Sequence, residues 1–170
     1  MTTDQELFAL AERVGGKLLG AGRRLATAES CTGGWVAKVC TDIAGSSRWF
    51  ECGFVTYSNA AKVRDIGGSE VTLANHGAVS EATVREMAAG ALRVSGAAVV
   101  VAISGIAGPD GGTPTKPVGT VWFGLATRRG ADVVVSAEAQ LFGGDRELVR
   151  RRSVKRALEM VLAIDWELSP

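Results

Sequence analysis

Residues 97–103 read Ala-Ala-Val-Val-Val-Ala-Ile, an apolar run without a single charge. Its length and β-branched content mark it as a buried strand. It feeds directly into the glycine-rich loop Gly105-Ile106-Ala107-Gly108-Pro109-Asp110-Gly111-Gly112-Thr113-Pro114. What surrounds this strand decides the fold class. Thr3 with Glu6 makes a capping box, and Leu7, Leu10, Ala11, Val14 and Leu18 follow at helical spacing, so residues 3–19 are predicted as an amphipathic helix. Residues 25–29 form a short apolar run that reads as a second buried strand. Trp35, Val36, Val39, Cys40 and Ile43 then return to helical spacing.

Residues 50–57, aromatic and β-branched, read as another strand, and Ser58 is the expected N-cap of a short helix that ends at Gly67. Ser80 caps a helix with Val84, Met87, Ala88, Ala91 and Leu92 on its core face, and Gly96 stops it. Residues 118–127 and 132–141 read as an antiparallel pair around Arg128-Arg129-Gly130. Asp145 caps a last helix that turns Val154, Leu158, Val161 and Leu162 inward. Helices thus interleave with about five strands. The simplest α/β architecture is a three-layer α/β/α sandwich with a mixed, mostly parallel sheet. No repeat, low-complexity tract or linker divides the 170 residues, so a single domain over residues 1–170 is expected.

Composition narrows the function class. Acidic and basic residues nearly cancel to a formal charge of +1, which lacks the field of a dedicated nucleic-acid binder but permits a small anionic ligand. Cys31, Cys40 and Cys52 form neither a metal spacing nor an even disulfide set, so a reducing compartment, by default the cytoplasm, is expected. Residues 1–10 lack the pattern of a signal peptide, and no uncharged apolar stretch is long enough to span a bilayer.

Three constellations carry chemistry. Ser30 stands between a strand end and a helix start, followed by Gly33 and Gly34. Ligands of open α/β sheets gather at the carboxyl ends of strands, where a helix N-terminus presents free N–H groups. A serine there can attack a carbonyl while the amides of Thr32, Gly33 and Gly34 hold the oxyanion. Spacing alone leaves two readings open: Ser30 as nucleophile, or Ser30 and Thr32 as helix caps. Cys31 is the rival nucleophile, because a thiol at a helix N-terminus has a lowered pKa.

A serine nucleophile needs a base. His76 is the one histidine, and it sits in the turn Asn75-His76-Gly77, where a structural role is the ordinary one. Lys62 is the better base. With Ser58 as N-cap, Tyr57 is N′ and Lys62 is N4, the two positions that meet in a hydrophobic staple. A partly buried ammonium near the positive end of a helix loses affinity for its proton and can serve as a general base. Geometry equally allows Lys62 to lie over the Tyr57 ring as a surface cation–π pair.

The third constellation is the loop from Ser104 through Gly105 and Gly108 to Thr113, a candidate cradle for a phosphate or ribose. It matches neither the dinucleotide fingerprint nor the P-loop. Arg146, just after the Asp145 cap, supplies a candidate phosphate ligand. The run Arg150-Arg151-Arg152 reads as a solvated helix face.

Taken together, Ala28-Glu29-Ser30-Cys31-Thr32-Gly33-Gly34, Tyr57-Ser58-Asn59-Ala60-Ala61-Lys62, His76-Gly77-Ala78-Val79-Ser80, Gly105-Ile106-Ala107-Gly108-Pro109 and Lys116-Pro117-Val118-Gly119-Thr120-Val121 resemble the CinA C-terminal domain family over about residues 5–163. That family includes amidases of nicotinamide nucleotides, so the resemblance implies hydrolysis of the carboxamide of nicotinamide mononucleotide, without metal or cofactor. It also implies a Ser-Lys pair at Ser30 and Lys62, with Tyr57 as the assisting hydroxyl. The family's Val-Thr-Gly-Ile-Ala-Gly-Pro becomes Ile103-Ser104-Gly105-Ile106-Ala107-Gly108-Pro109 here. Its competence and DNA-damage label describes genetic context rather than chemistry. The alternatives are a non-catalytic module that binds a nucleotide or a protein partner, and a DNA-processing accessory acting through the face that begins at Arg150. A homodimer through exposed Trp35 or Trp49 is a further expectation, against the commoner burial of tryptophan.

Overall fold

The computed structural model describes residues 2–166, so residue 1 and residues 167–170 of the expected domain lie outside the described residues. The uncharged run becomes β3 (Val99–Gly105), the middle strand of a five-stranded sheet ordered β2-β1-β3-β4-β5. On one side lie β1 (Leu25–Glu29) and then β2 (Phe50–Val55), all parallel. On the other, β4 (Thr120–Arg129) and β5 (Asp132–Leu141) continue the sheet as antiparallel neighbours. Only β4 runs against the other four, because β5 reverses direction again.

The period-2 alternation of β3 separates two apolar layers. Val99, Val101 and Ile103 meet α1 (Asp4–Gly20), α2 (Trp35–Thr41) and α6 (Arg146–Leu162). Val100 and Ala102 meet α5 (Glu81–Ser95), flanked by α3 (Asn59–Ile66) and α4 (Glu70–His76). The three-layer α/β/α sandwich is therefore the observed architecture. The layer that will carry Lys62 is closely packed: a Cβ added at Gly90 of α5 would lie 1.9 Å from the Ile66 carbonyl oxygen, so only glycine lets α3 settle against α5.

The four predicted N-caps form. Thr3, Ser58, Ser80 and Asp145 accept from the amides of Glu6, Ala61, Thr83 and Leu148 at 3.2, 3.1, 3.2 and 2.9 Å. Each stabilises its helix by about 1 kcal/mol. Gly67 and Gly96 end α3 and α5 in the left-handed region, at φ 68° and 69°.

Four features differ from expectation. Arg128 and Arg129 belong to β4, paired with Val133 and Asp132, so the turn is the two-residue Gly130-Ala131, whose geometry suits the twist of a hairpin. Helix α4 was not foreseen, because none of its residues is buried and no apolar stripe marks it. Trp49 is 1% exposed in the α1 layer, and Trp35 is half-buried beneath Arg150 and Arg151, which withdraws both from a dimer interface. The arginine run is not a solvated face. Arg151 pairs with Asp4 and Glu147, Arg152 donates to the Gly143 carbonyl, and Arg150 reaches the turn after β1. No described helix is long and apolar enough to cross a membrane.

Candidate active site

Because β2, β1 and β3 are parallel, their carboxyl ends open on one edge of the sheet. Ser30 lies there, one residue beyond β1, with its amide donating to the Ile103 carbonyl at 2.9 Å. Leu25 and Glu29 face the α1 and α2 layer while Ala26 and Ala28 face α5. The next position in that alternation turns Ser30 toward the α5 layer, where α3 brings Lys62.

Lys62 Nζ is 3.0 Å from Ser30 Oγ, 2.7 Å from the Thr56 carbonyl oxygen and 3.4 Å from the Tyr57 carbonyl oxygen. Its side chain is 1% exposed, and among the described residues it has no carboxylate partner. Three neutral acceptors satisfy its donors without compensating a charge. Burial therefore holds its pKa below the usual lysine range. A lysine kept near neutrality beside a serine hydroxyl can accept that hydroxyl's proton.

The N-cap arithmetic located Lys62 but mistook what it touches. Tyr57 is 60% exposed, and its hydroxyl accepts from Arg146 Nη2 at 3.1 Å, away from the Ser30–Lys62 contact. Lys62 meets the Tyr57 backbone rather than its ring, because an inward ammonium finds stronger acceptors in carbonyl oxygens than in a π-face.

The turn that follows Ser30 is held from both sides. Glu29, 0% exposed, sends one carboxylate oxygen to the Val36 amide at 3.0 Å and the other to the Ala37 amide at 2.8 Å. It fills the donors of the first turn of α2, which no side chain of Gly34 could cap. From outside, Arg150 Nε and Nη2 donate to the Cys31 and Thr32 carbonyls at 3.1 and 3.0 Å. Neither residue was foreseen; Glu29 was read as the polar end of a strand and Arg150 as surface charge.

Glu29 also changes the standing of Cys31. With a carboxylate on the α2 amides, the helix end no longer favours a thiolate. Burial pushes the Cys31 thiol up to about 12, and the Glu29 charge acts in the same direction. The anticipated lowering of that pKa is reversed.

Of the anticipated oxyanion donors, the Gly33 amide is committed to the Ser30 carbonyl at 3.0 Å. The amides of Thr32 and Gly34 have no acceptor among the described residues, and the buried Thr32 hydroxyl has none either. The loop candidates divide. Ser104 is 1% exposed and donates to the Ala78 carbonyl at 2.7 Å, tying β3 to the segment before α5. Gly105 is the last residue of β3, where an added Cβ would come within 2.7 Å of Val121 Cγ2, so strand packing already demands glycine. Thr113 is exposed and closes its own turn, its hydroxyl accepting from the Lys116 amide at 3.0 Å. Arg146 Nη1 donates to the Gly108 carbonyl at 2.7 Å, so Tyr57, Arg146 and Gly108 form a continuous rim between the β2–α3 connection and the β3–β4 loop. His76 contributes its backbone, accepting from Lys116 Nζ at 2.8 Å.

The sequence model of the CinA C-terminal domain matches residues 7–164. The chain belongs to the CinA C-terminal domain family. It is 60% identical over 157 residues to the nicotinamide-nucleotide amidohydrolase PncC of Escherichia coli K12, covering 92% of this chain and 93% of that one. It is 51% identical to the PncC of Pseudomonas putida, covering 95% and 98%. The crystal structure of the competence damage-inducible protein A (ComA) from Klebsiella pneumoniae superimposes with a TM-score of 0.87 at 39% identity, over 92% of this chain and 94% of the other. The fold expected of a CinA-type domain is thus the fold observed.

Proposed function

We propose that this CinA-family chain hydrolyses the carboxamide of nicotinamide mononucleotide to nicotinic acid mononucleotide and ammonia, as a step in pyridine-nucleotide salvage, with Ser30 as nucleophile and Lys62 as general base. The observation that carries the mechanism is the 3.0 Å contact between Lys62 Nζ and Ser30 Oγ, made by a buried lysine without a counter-ion. The substrate rests on relatives at 51–60% identity that bear the name nicotinamide-nucleotide amidohydrolase.

Neutral Lys62 takes the Ser30 proton as Oγ bonds to the carboxamide carbon, and the Thr32 and Gly34 amides receive the charge that develops on oxygen. The C–N bond then breaks, the proton on Lys62 goes to the departing nitrogen, and ammonia leaves an ester on Ser30. Water adds to that ester with Lys62 again taking a proton. The C–O bond breaks, the proton returns to Ser30 Oγ, and the acid departs. Arg146, on the rim with Tyr57 and Gly108, is the group that meets the substrate's phosphate, exchanging neutral acceptors for an anionic one. The reading takes the enzyme as a cytoplasmic one that acts on the free nucleotide without metal, cofactor or nucleic acid.

The test is ammonia release from nicotinamide mononucleotide by the purified chain. Activity unaffected by chelators, and abolished in folded Ser30→Ala and Lys62→Ala variants, is the expected result. Binding of the nucleotide without turnover over hours would replace the enzyme with the binding module, and full activity in either variant would remove the Ser-Lys assignment.

A further inference from the structure

We infer that Arg150 is a positioning residue of this reaction: from α6 it sets the Cys31–Thr32 peptide so that the Thr32 amide meets the oxyanion formed when Ser30 attacks. The inference rests on the acyl-transfer reading of Ser30 and goes beyond it by naming what holds the oxyanion donor in place.

The Arg150 fork takes two successive carbonyls, Cys31 O at 3.1 Å and Thr32 O at 3.0 Å. Its guanidinium carbon lies 5.2 Å from the Trp35 ring centre, and that of Arg151 lies 4.9 Å from the same ring. The tryptophan is a flat shelf that leaves the fork little freedom to tilt. In a planar trans peptide, C=O and the following N–H point in opposite directions. Fixing the Cys31 carbonyl on Arg150 therefore directs the Thr32 amide to the other side of the turn. The Thr32–Gly33 peptide is fixed in the same way, and its N–H closes on the Ser30 carbonyl at 3.0 Å.

Thr32 is 0% exposed, yet neither its amide nor its hydroxyl has an acceptor among the described residues. Native interiors rarely leave one such donor unpaired. Two on one residue, two positions after the nucleophile, mark a place that an acceptor enters during turnover. A guanidinium on the carbonyl side also polarises the peptide and strengthens the N–H on its far side. Arg150 thus couples a surface helix to the reacting oxygen without touching substrate.

The experiment compares the full chain with Arg150→Met, Arg150→Lys and Arg150→Ala, measuring ammonia release from nicotinamide mononucleotide together with thermal midpoints. In Arg150→Met, kcat is expected to fall roughly 10- to 100-fold with KM within about threefold, because a misaimed oxyanion donor costs the transition state and spares the ground state. Arg150→Lys, which keeps a cation and one donor, falls between, and added guanidinium restores part of the Arg150→Ala rate. If Arg150→Met fails to fold, Arg150→Lys decides by the same split. A kcat within about twofold of wild type, or a loss carried wholly by KM, overturns the inference. A wild-type chain that releases no ammonia sinks the amidase reading and this inference together. An active wild type with indifferent Arg150 variants sinks this inference alone.

Discussion

The turn after β1 and the loop between β3 and β4 leave the same edge of the sheet, and they are built in opposite ways. Residues 30–32 are buried and held by charged groups from three elements: Glu29 of β1 on the α2 amides, Arg150 of α6 on the turn carbonyls, and Lys62 of α3 on Ser30. The β3–β4 loop is largely exposed from Asp110 to Thr115, and it is closed by its own backbone pairs and by Arg146 on Gly108. A nucleophile must stand within a fraction of an ångström of its base and its oxyanion donors, so its surroundings are over-determined. A loop that recognises a soluble substrate has to admit and release it, and it tolerates looser restraint. The rigid turn should therefore govern kcat and the loop should govern KM.

The largest break of that contrast is Lys62→Met, which keeps the aliphatic stem and removes the base: kcat/KM should fall by about a thousandfold or more while the fold persists. The same residue fixes the pH dependence. Its pKa is below the usual lysine range of about 10.4. Wild-type activity should thus climb with pH as Lys62 loses its proton and reach a plateau before an unperturbed lysine would titrate. Between the folded and unfolded pKa values the unfolded chain binds the extra proton, so stability to urea should rise with pH in that window. In Lys62→Met that slope should vanish.

Next in size is Glu29→Gln. One α2 amide keeps an acceptor and the other loses a charged one, so urea unfolding should show a loss of about 1–2 kcal/mol, and kcat should drop about tenfold as the turn loosens. Arg146→Ala acts on the rim. KM for the mononucleotide should rise roughly tenfold with kcat within about threefold, and the effect should shrink with a substrate that lacks the phosphate. The smallest effects belong to groups that the geometry sets aside. Cys31→Ala and Thr113→Ala should each leave kcat/KM within about threefold, since a thiol pushed up to about 12 is not a nucleophile at neutral pH and Thr113 bonds only within its own loop.

What was legible in the chain follows from the range of each interaction. Caps and apolar periodicity are local, so the four N-caps, the central strand and the layered architecture were readable, and counting from Ser58 found Lys62. The strand pair lost two residues to an assumed turn because Arg128 and Arg129 look like loop residues. Only the carbonyls of Leu92 and Ala97, which bind the Arg128 guanidinium at 3.0 and 3.1 Å, explain an arginine inside a strand. Contacts distant in sequence left no pattern at all. Arg150 lies 119 residues from Cys31, and Arg146 lies 89 from Tyr57. Their charges looked solvated until the fold supplied the partners. Glu29 was the missed signal within reach: an acid at the buried end of a strand, just before a helix whose N-cap is glycine, has an evident task as the substitute cap.

The most direct measurement of the central claim traps the ester on Ser30. Hydroxylamine added during turnover of nicotinamide mononucleotide competes with water for an acyl-enzyme. The account predicts that the hydroxamate of the nucleotide forms with the wild-type chain at the expense of the acid, while ammonia release is undiminished, and that Ser30→Ala forms neither product. Ammonia release by Ser30→Ala at the wild-type rate, or turnover by the wild type with no hydroxamate at saturating hydroxylamine, would contradict it.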